Sequence, residues 1–392
     1  MCDPTNKQTM SPTTTTAITN PTCCEECNGS FGCLIGVFPR IAATPCYKCQ
    51  KLLCSTCANK YGLIEFDKSK PADVANDLSK NNVIESYCKQ CFQETSVLDF
   101  TKTYDDMKPP NGITLPNDYD DDGGNTTSGK PPLPSITFVI VHGGGSSRAL
   151  YKPYAYRLIE MGYRCILLDL PGHGSLADDT STILSLDTCV STIQNVLREC
   201  HINPENNNTK EKVIYMGCSL GAYVGFYVLG KLHDYFSGAI QIDCGQNVGP
   251  TASLKAKCGL WFLKHMTQAM SNKGLMSAML GVTEKSKSAD WKLVESTFGV
   301  GMFFQQGLQQ VECLKSVNPT DWIPLYTFPV LFMNGGLDHR DCENKWLELC
   351  QDQEHSKLKV YEHGDHFFTH DSRYVEDIIQ QIDTFAMNIR KL

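Results

Sequence analysis

From residue 136 onward, short apolar runs alternate with amphipathic stretches, and this alternation limits the fold more than any other feature of the chain. The runs at 136–141, 163–169, 212–216, 239–243, 329–333 and 358–361 each read as a buried strand. Between them lie helical patterns. Residues 188–200 place Val190, Ile193, Val196 and Leu197 on one face, and the last stretch does the same with Val375, Ile378, Ile379, Ile382, Phe385 and Ile389. A strand that is apolar along its whole length needs cover on both faces, so the pattern predicts a mostly parallel sheet with helices on both sides. Residues 245–328 break the rhythm and are too long for a simple connection. They predict a helical cap, and its Met and Phe content suits an adaptable pocket for an apolar substrate.

One of these strands runs into Gly217-Cys218-Ser219-Leu220-Gly221 and then into a helix. A serine between glycines at such a junction is presented in a tight turn at the carboxyl edge of the sheet. A hydroxyl is a weak nucleophile and needs a base, and the base needs an orienting acid. Candidates follow the last two strands. Asp338 lies in Asn334-Gly-Gly-Leu-Asp338, and His366 in Glu362-His363-Gly364-Asp365-His366. The expected set is Ser219 as nucleophile, His366 as general base and Asp338 as acid, in the chain order that this topology requires. His363 competes for the base and Asp243 for the acid. Upstream, His142-Gly143-Gly144-Gly145 closes the first strand. Backbone amides there, at Gly143 and Gly144, together with that of Leu220, are expected to bind a developing oxyanion. His142 and His173 are expected to support their turns, and Cys218 to be a small buried neighbour of the nucleophile.

These residues, with Asp169-Leu-Pro171-Gly172-His173-Gly174-Ser175, resemble the α/β-hydrolase superfamily across roughly residues 136–392. The resemblance implies the α/β-hydrolase fold with a cap inserted after the nucleophile, and hydrolysis of a carboxylester. Serine at the elbow argues against chemistry that forms an ester on an aspartate.

The amino-terminal part differs. Of 20 cysteines, 11 fall within the first 91 residues. The first 22 residues are rich in Thr, Asn and Pro without an apolar core, so a disordered segment and no secretory signal are expected. Without export, regularly spaced cysteines read as metal ligands rather than disulfides. Cys24-x2-Cys27, Cys46-x2-Cys49, Cys54-x2-Cys57 and Cys88-x2-Cys91 supply eight thiolates, enough for two structural zinc ions. Cys49 and Cys54 are too close to end one lobe and begin another. The pairs are therefore expected to alternate, with Cys24, Cys27, Cys54 and Cys57 on one ion and Cys46, Cys49, Cys88 and Cys91 on the other. Cys23 is an alternative to Cys24.

The segment Cys46-Tyr-Lys-Cys49-Gln-Lys-Leu-Leu-Cys54-Ser-Thr-Cys57 resembles the middle of FYVE-type zinc fingers. That resemblance implies binding to phosphatidylinositol 3-phosphate on endosomal membranes. The residues before Cys46 read Ala42-Ala43-Thr44-Pro45, where the family carries a basic patch. A protein-binding role and a ubiquitin-transfer role of the finger stay open.

The chain thus divides into a disordered start (1–22), a zinc finger (23–92), an acidic, Pro- and Gly-rich linker (93–134) and a hydrolase domain (135–392) with its cap at about 245–328. With 35 basic and 43 acidic residues the net charge is −8, which excludes a general nucleic-acid binder. No cofactor is expected for catalysis. The sequence as read suits a cytoplasmic protein, peripheral on endosomal membranes, that acts on a small-molecule or lipid ester. An inert hydrolase-fold adaptor is the alternative.

Overall fold

A computed structural model describes residues 101–110, 113, 115, 134–176, 179, 181–204, 211–254, 257–258, 304–338, 340 and 342–392. It adds the backbone of short ladders pairing Thr44–Pro45 with Leu52–Leu53 and Gly62–Ile64 with Ile84–Ser86. All eight expected zinc ligands, the first 22 residues, the acidic run at 118–124 and most of the cap lie outside the described residues.

Seven strands form the main sheet: β1 (Tyr104–Met107), β2 (Ser135–Val141), β3 (Arg164–Leu168), β4 (Glu211–Cys218), β5 (Gly238–Ile242), β6 (Val330–Gly335) and β7 (Lys357–Tyr361). Their spatial order is β7-β6-β5-β4-β2-β3-β1. Strands β2 to β7 are parallel, and β1 runs antiparallel to β3 at the edge. Successive side chains of a strand point to opposite faces, so the apolar runs feed two cores at once. Ile136, Phe138 and Ile140 enter one core with α1 (Lys152–Glu160) and the closing helix α7 (Ser372–Lys391). Val139 and Val141 enter the other with α2 (Leu186–Glu199) and α3 (Leu220–Lys231). Helix α2 starts at a capping box in which Ser185 and Thr188 satisfy each other's backbone amides.

Two expectations need correction. Residues 93–134 are not a linker throughout, because they contain β1. Its sequence Tyr-Asp-Asp-Met shows no apolar alternation because an edge strand is charged where a central one is apolar. Asp106 pairs with Arg164, and Asp105 with Arg148 and Lys152. The excursion at 245–328 also does not end as a separate cap. Helix α4 (Phe304–Ser316) buries Val311 and Cys313, and the segment after it buries Ile323, Tyr326 and Phe328, all in the core shared with α3. A short helix α5 (Pro319–Trp322) and helix α6 (Glu343–Leu349) complete that layer. Among the described residues no helix is long and apolar enough to cross a membrane.

Candidate active site

The turn between β4 and α3 puts Ser219 at φ 49°, ψ −114°, a left-handed conformation that costs a side-chain-bearing residue about 1–3 kcal/mol. Its surroundings hold it there. The Ser219 amide donates to the Ile242 carbonyl at 2.8 Å. A Cβ on Gly221 would lie 2.5 Å from the Val141 carbonyl oxygen, and one on Gly217 would lie 2.7 Å from the Gly221 backbone. The two glycines flanking the serine are therefore demanded by backbone approach, and they let the helix start directly beside the end of β2. Cys218 is buried next to the serine, as expected.

Asp338 and His366 come from turns that follow neighbouring strands. Parallel pairing sets Gly335 beside Tyr361. The turns are then knitted together: Gly336 N–H donates to the Tyr361 carbonyl at 2.7 Å, and Leu337 N–H to that of Gly364 at 2.9 Å. The result is a continuous chain of contacts. His366 Nε2 lies 3.0 Å from Ser219 Oγ, and His366 Nδ1 lies 2.7 Å from Asp338 Oδ2. Burial by itself would lower the imidazole pKa. The charge and hydrogen bond of Asp338, with help from Asp243 and Asp365, outweigh it and raise His366 to about 9. His363, the competing base, is exposed on the neighbouring turn.

Asp243, the competing acid, closes β5 at φ 52° and is buried, with no bond to the imidazole. Polar atoms of Asp243, Asp338 and His366 nevertheless lie within 4.8 Å of one another. Asp243 Oδ1 accepts from the Gly335 amide at 3.4 Å, and Oδ2 is buried without a partner. Burial pushes its carboxyl well above the usual range; His366 opposes that and Asp338 adds to it. Asp243 is thus a buried carboxyl that holds its proton more tightly than usual, packed beside the Asp338–His366 pair.

The glycine turn after β2 is organised by His142. Its Nδ1 lies 2.7 Å from the Gly143 carbonyl, and its Nε2 accepts from the Leu170 amide at 3.1 Å. One nitrogen accepts, so the other carries the proton and donates. Burial lowers the pKa of this ring and keeps it neutral. In a trans peptide the N–H points opposite to the C=O. Fixing the Gly143 carbonyl toward His142 therefore turns the Gly144 amide the other way. A Cβ on Gly143 would sit 3.3 Å from Ser219 Cβ, so this turn borders Ser219. Leu220 is the first residue of α3, where no intrahelical carbonyl is within reach of its amide.

Sequence reading did not single out Arg148 or Gln310. Arg148 is buried and links three segments: its side chain bonds Asp169 and Ser175 of the Asp169-to-Ser175 loop and Asp105 of β1, while its amide donates to Asp169 at 2.8 Å. The loop motif was the only signal, through Asp169. Gln310 lies on α4, and no motif marks it.

The chain matches the family described as serine aminopeptidase, S33, over residues 133–373. Its fold is similar to that of an esterase from Exiguobacterium antarcticum, at 18% identity and a TM-score of 0.53, covering 65% of this chain and 93% of the other. It is similar to MenH from S. aureus, at 12% identity and a TM-score of 0.54, over 74% and 99% of the two chains. A thermophilic esterase from Thermogutta terrifontis gives 17% identity and a TM-score of 0.51, over 73% and 99%. No curated protein sequence matches.

Proposed function

The chain belongs to the serine aminopeptidase S33 family, within the α/β-hydrolases, and from that premise we propose that it is a serine hydrolase acting on a carboxylester. The observation that carries the reading is the unbroken path from Ser219 Oγ through His366 to Asp338, with contacts of 3.0 and 2.7 Å. Neutral His366 takes the Ser219 proton on Nε2 while Oγ bonds to the ester carbonyl carbon. Asp338 holds the Nδ1 proton and stabilises the imidazolium that forms. The carbonyl oxygen becomes an oxyanion facing the amides of Gly143, Gly144 and Leu220. Collapse breaks the bond to the alcohol, which leaves with the proton from Nε2. Water then repeats the sequence on the acyl-serine, releasing the acid and restoring the hydroxyl. The esterases among the fold neighbours support an ester over an amide.

Labelling with a fluorophosphonate probe tests this directly. The wild type reacts and Ser219→Ala does not; an unreactive wild type would leave an inert hydrolase-fold adaptor. A panel of esters tests the apolar-substrate reading, which a preference for acetate over long acyl chains would overturn.

The amino-terminal cysteines belong to the same proposal. Eight thiolates in four Cys-x2-Cys pairs form a sulfur-only donor set that suits two tetrahedral zinc ions. Cys24, Cys27, Cys46, Cys49, Cys54, Cys57, Cys88 and Cys91 would hold them, and the metal would supply folding energy that so small a module lacks. The FYVE resemblance supports a finger that brings a cytoplasmic enzyme to an endosomal membrane or to a protein partner. Flotation with vesicles with and without phosphatidylinositol 3-phosphate separates these two targets.

A further inference from the structure

Helix α4 reaches the glycine turn from the core that it shares with α3. It is anchored by Val311, Cys313 and Leu314 in the core, and by Gln309, whose Oε1 accepts from the Leu184 amide at 3.0 Å. The next side chain, Gln310, lies against Gly144. A Cβ on Gly144 would come 1.9 Å from Gln310 Nε2 and 2.7 Å from its Oε1. The carboxamide thus fills the space that any side chain at 144 would need.

Two polar atoms here are buried without partners: Gln310 Oε1 and His173 Nε2. His173 Nδ1 lies 3.0 Å from the Pro171 carbonyl and donates to it. Burial, then neighbouring His142, push the His173 ring down to about 3, so it is neutral and Nε2 is a bare acceptor. Gln310, like His142, lies against this ring and is the one of the two with an N–H to offer it. An orphaned buried acceptor costs about 1–3 kcal/mol. A half-turn about the terminal torsion of Gln310 exchanges its nitrogen and oxygen without changing its shape. The amide N–H then donates to His173 Nε2, and Oε1 takes the place against Gly144.

We propose that Gln310 is a positioning residue on α4: bonded to His173, its carboxamide braces the turn that carries the Gly143 and Gly144 amides. This rests on the hydrolase reading and deepens it. Oxyanion donors work only at about 2.7–3.1 Å from the forming charge, so a turn left unbraced loses transition-state stabilisation. Ground-state binding of the ester is untouched.

The test uses the full chain and three variants: Gln310→Leu, His173→Phe and the double variant. Gln310→Leu is expected to lower kcat roughly tenfold, a fraction of what losing a whole donor costs, with KM changed less than about twofold. Affinity for a trifluoromethyl ketone, which captures Ser219 Oγ as a hemiketal oxyanion, falls by the same factor as kcat/KM. The double variant is no worse than His173→Phe alone, because the two side chains share one bond. If Gln310→Leu does not fold, Gln310→Met replaces it; it keeps the length of the side chain but has no proton to give His173, and the same loss is expected. An unchanged kcat, an effect confined to KM, or additive losses overturns the inference. Fluorophosphonate labelling separates the two failures. An unreactive wild type defeats the hydrolase reading itself, whereas equal labelling rates in wild type and Gln310→Leu defeat only the brace.

Discussion

His366 Nε2 stands 3.0 Å from Ser219 Oγ although 147 positions of chain separate them. The sheet makes this possible, since both turns leave its carboxyl edge and only β5 and β6 lie between β4 and β7. Replacing Ser219 by alanine should lower kcat by at least about 10³-fold, by analogy with nucleophile deletions in other serine hydrolases. Folding should survive, because alanine removes only the hydroxyl. Initial rates on an ester, with a melting curve beside them, check both halves of the prediction.

The pH profile should be displaced toward alkali. A general base works only when unprotonated, and His366 holds its proton up to about 9, against an ordinary imidazole value of 6.5. The ascending limb of kcat/KM is therefore expected with its midpoint near 9. Asp338→Asn removes the carboxylate that does the raising, so that limb should move to lower pH while the maximum rate falls. A profile of the wild type centred near 6.5 would contradict the ion pair.

Asp243→Asn should stabilise the protein, and more so as pH rises. A buried carboxyl whose folded pKa is raised binds its proton more tightly in the native state than in the unfolded chain. Its contribution is full below the unfolded value, about 4. It is lost as pH climbs toward the folded value, by at most about 1.4 kcal/mol per pH unit. Asparagine is neutral throughout and escapes that loss. Melting temperatures of both proteins between pH 5 and 9 should diverge in favour of the variant; parallel curves would mean that Asp243 is ionised.

Strands β2 to β6 were legible because a central parallel strand is apolar on both faces and leaves a nearly unbroken run. The elbow was legible because close backbone approach demands glycine on both sides of Ser219. Strand β1 was not, since Asp105 and Asp106 take their meaning from Arg148, Lys152 and Arg164, all far along the chain. Sequence also left Asp243 and Asp338 as rivals. Both end strands on the same edge, and only the pairing of the two turns shows which carboxylate meets the imidazole. Gln310 was invisible for the same reason: its neighbours Gly144 and His173 are fixed by the fold, not by spacing.

Loss of Arg148, outside the Ser219 cluster, should cost much stability. Its side chain is fully buried and bonds carboxylates of Asp169 and Asp105, joining the loop after β3 to the edge strand. Asp169 Oδ2 also accepts from the Ser175 amide and hydroxyl, each at 2.9 Å. Arg148→Met keeps much of the volume but leaves the Asp169 charge buried without its cation, and removing one partner of such a pair costs about 3–5 kcal/mol. For a domain of this size that lowers the melting temperature by roughly 10 °C. Adding Asp169→Asn removes the stranded charge, so the double variant should melt above Arg148→Met alone. If the two losses simply add, the network is a set of separate contacts and not a single buried ion pair.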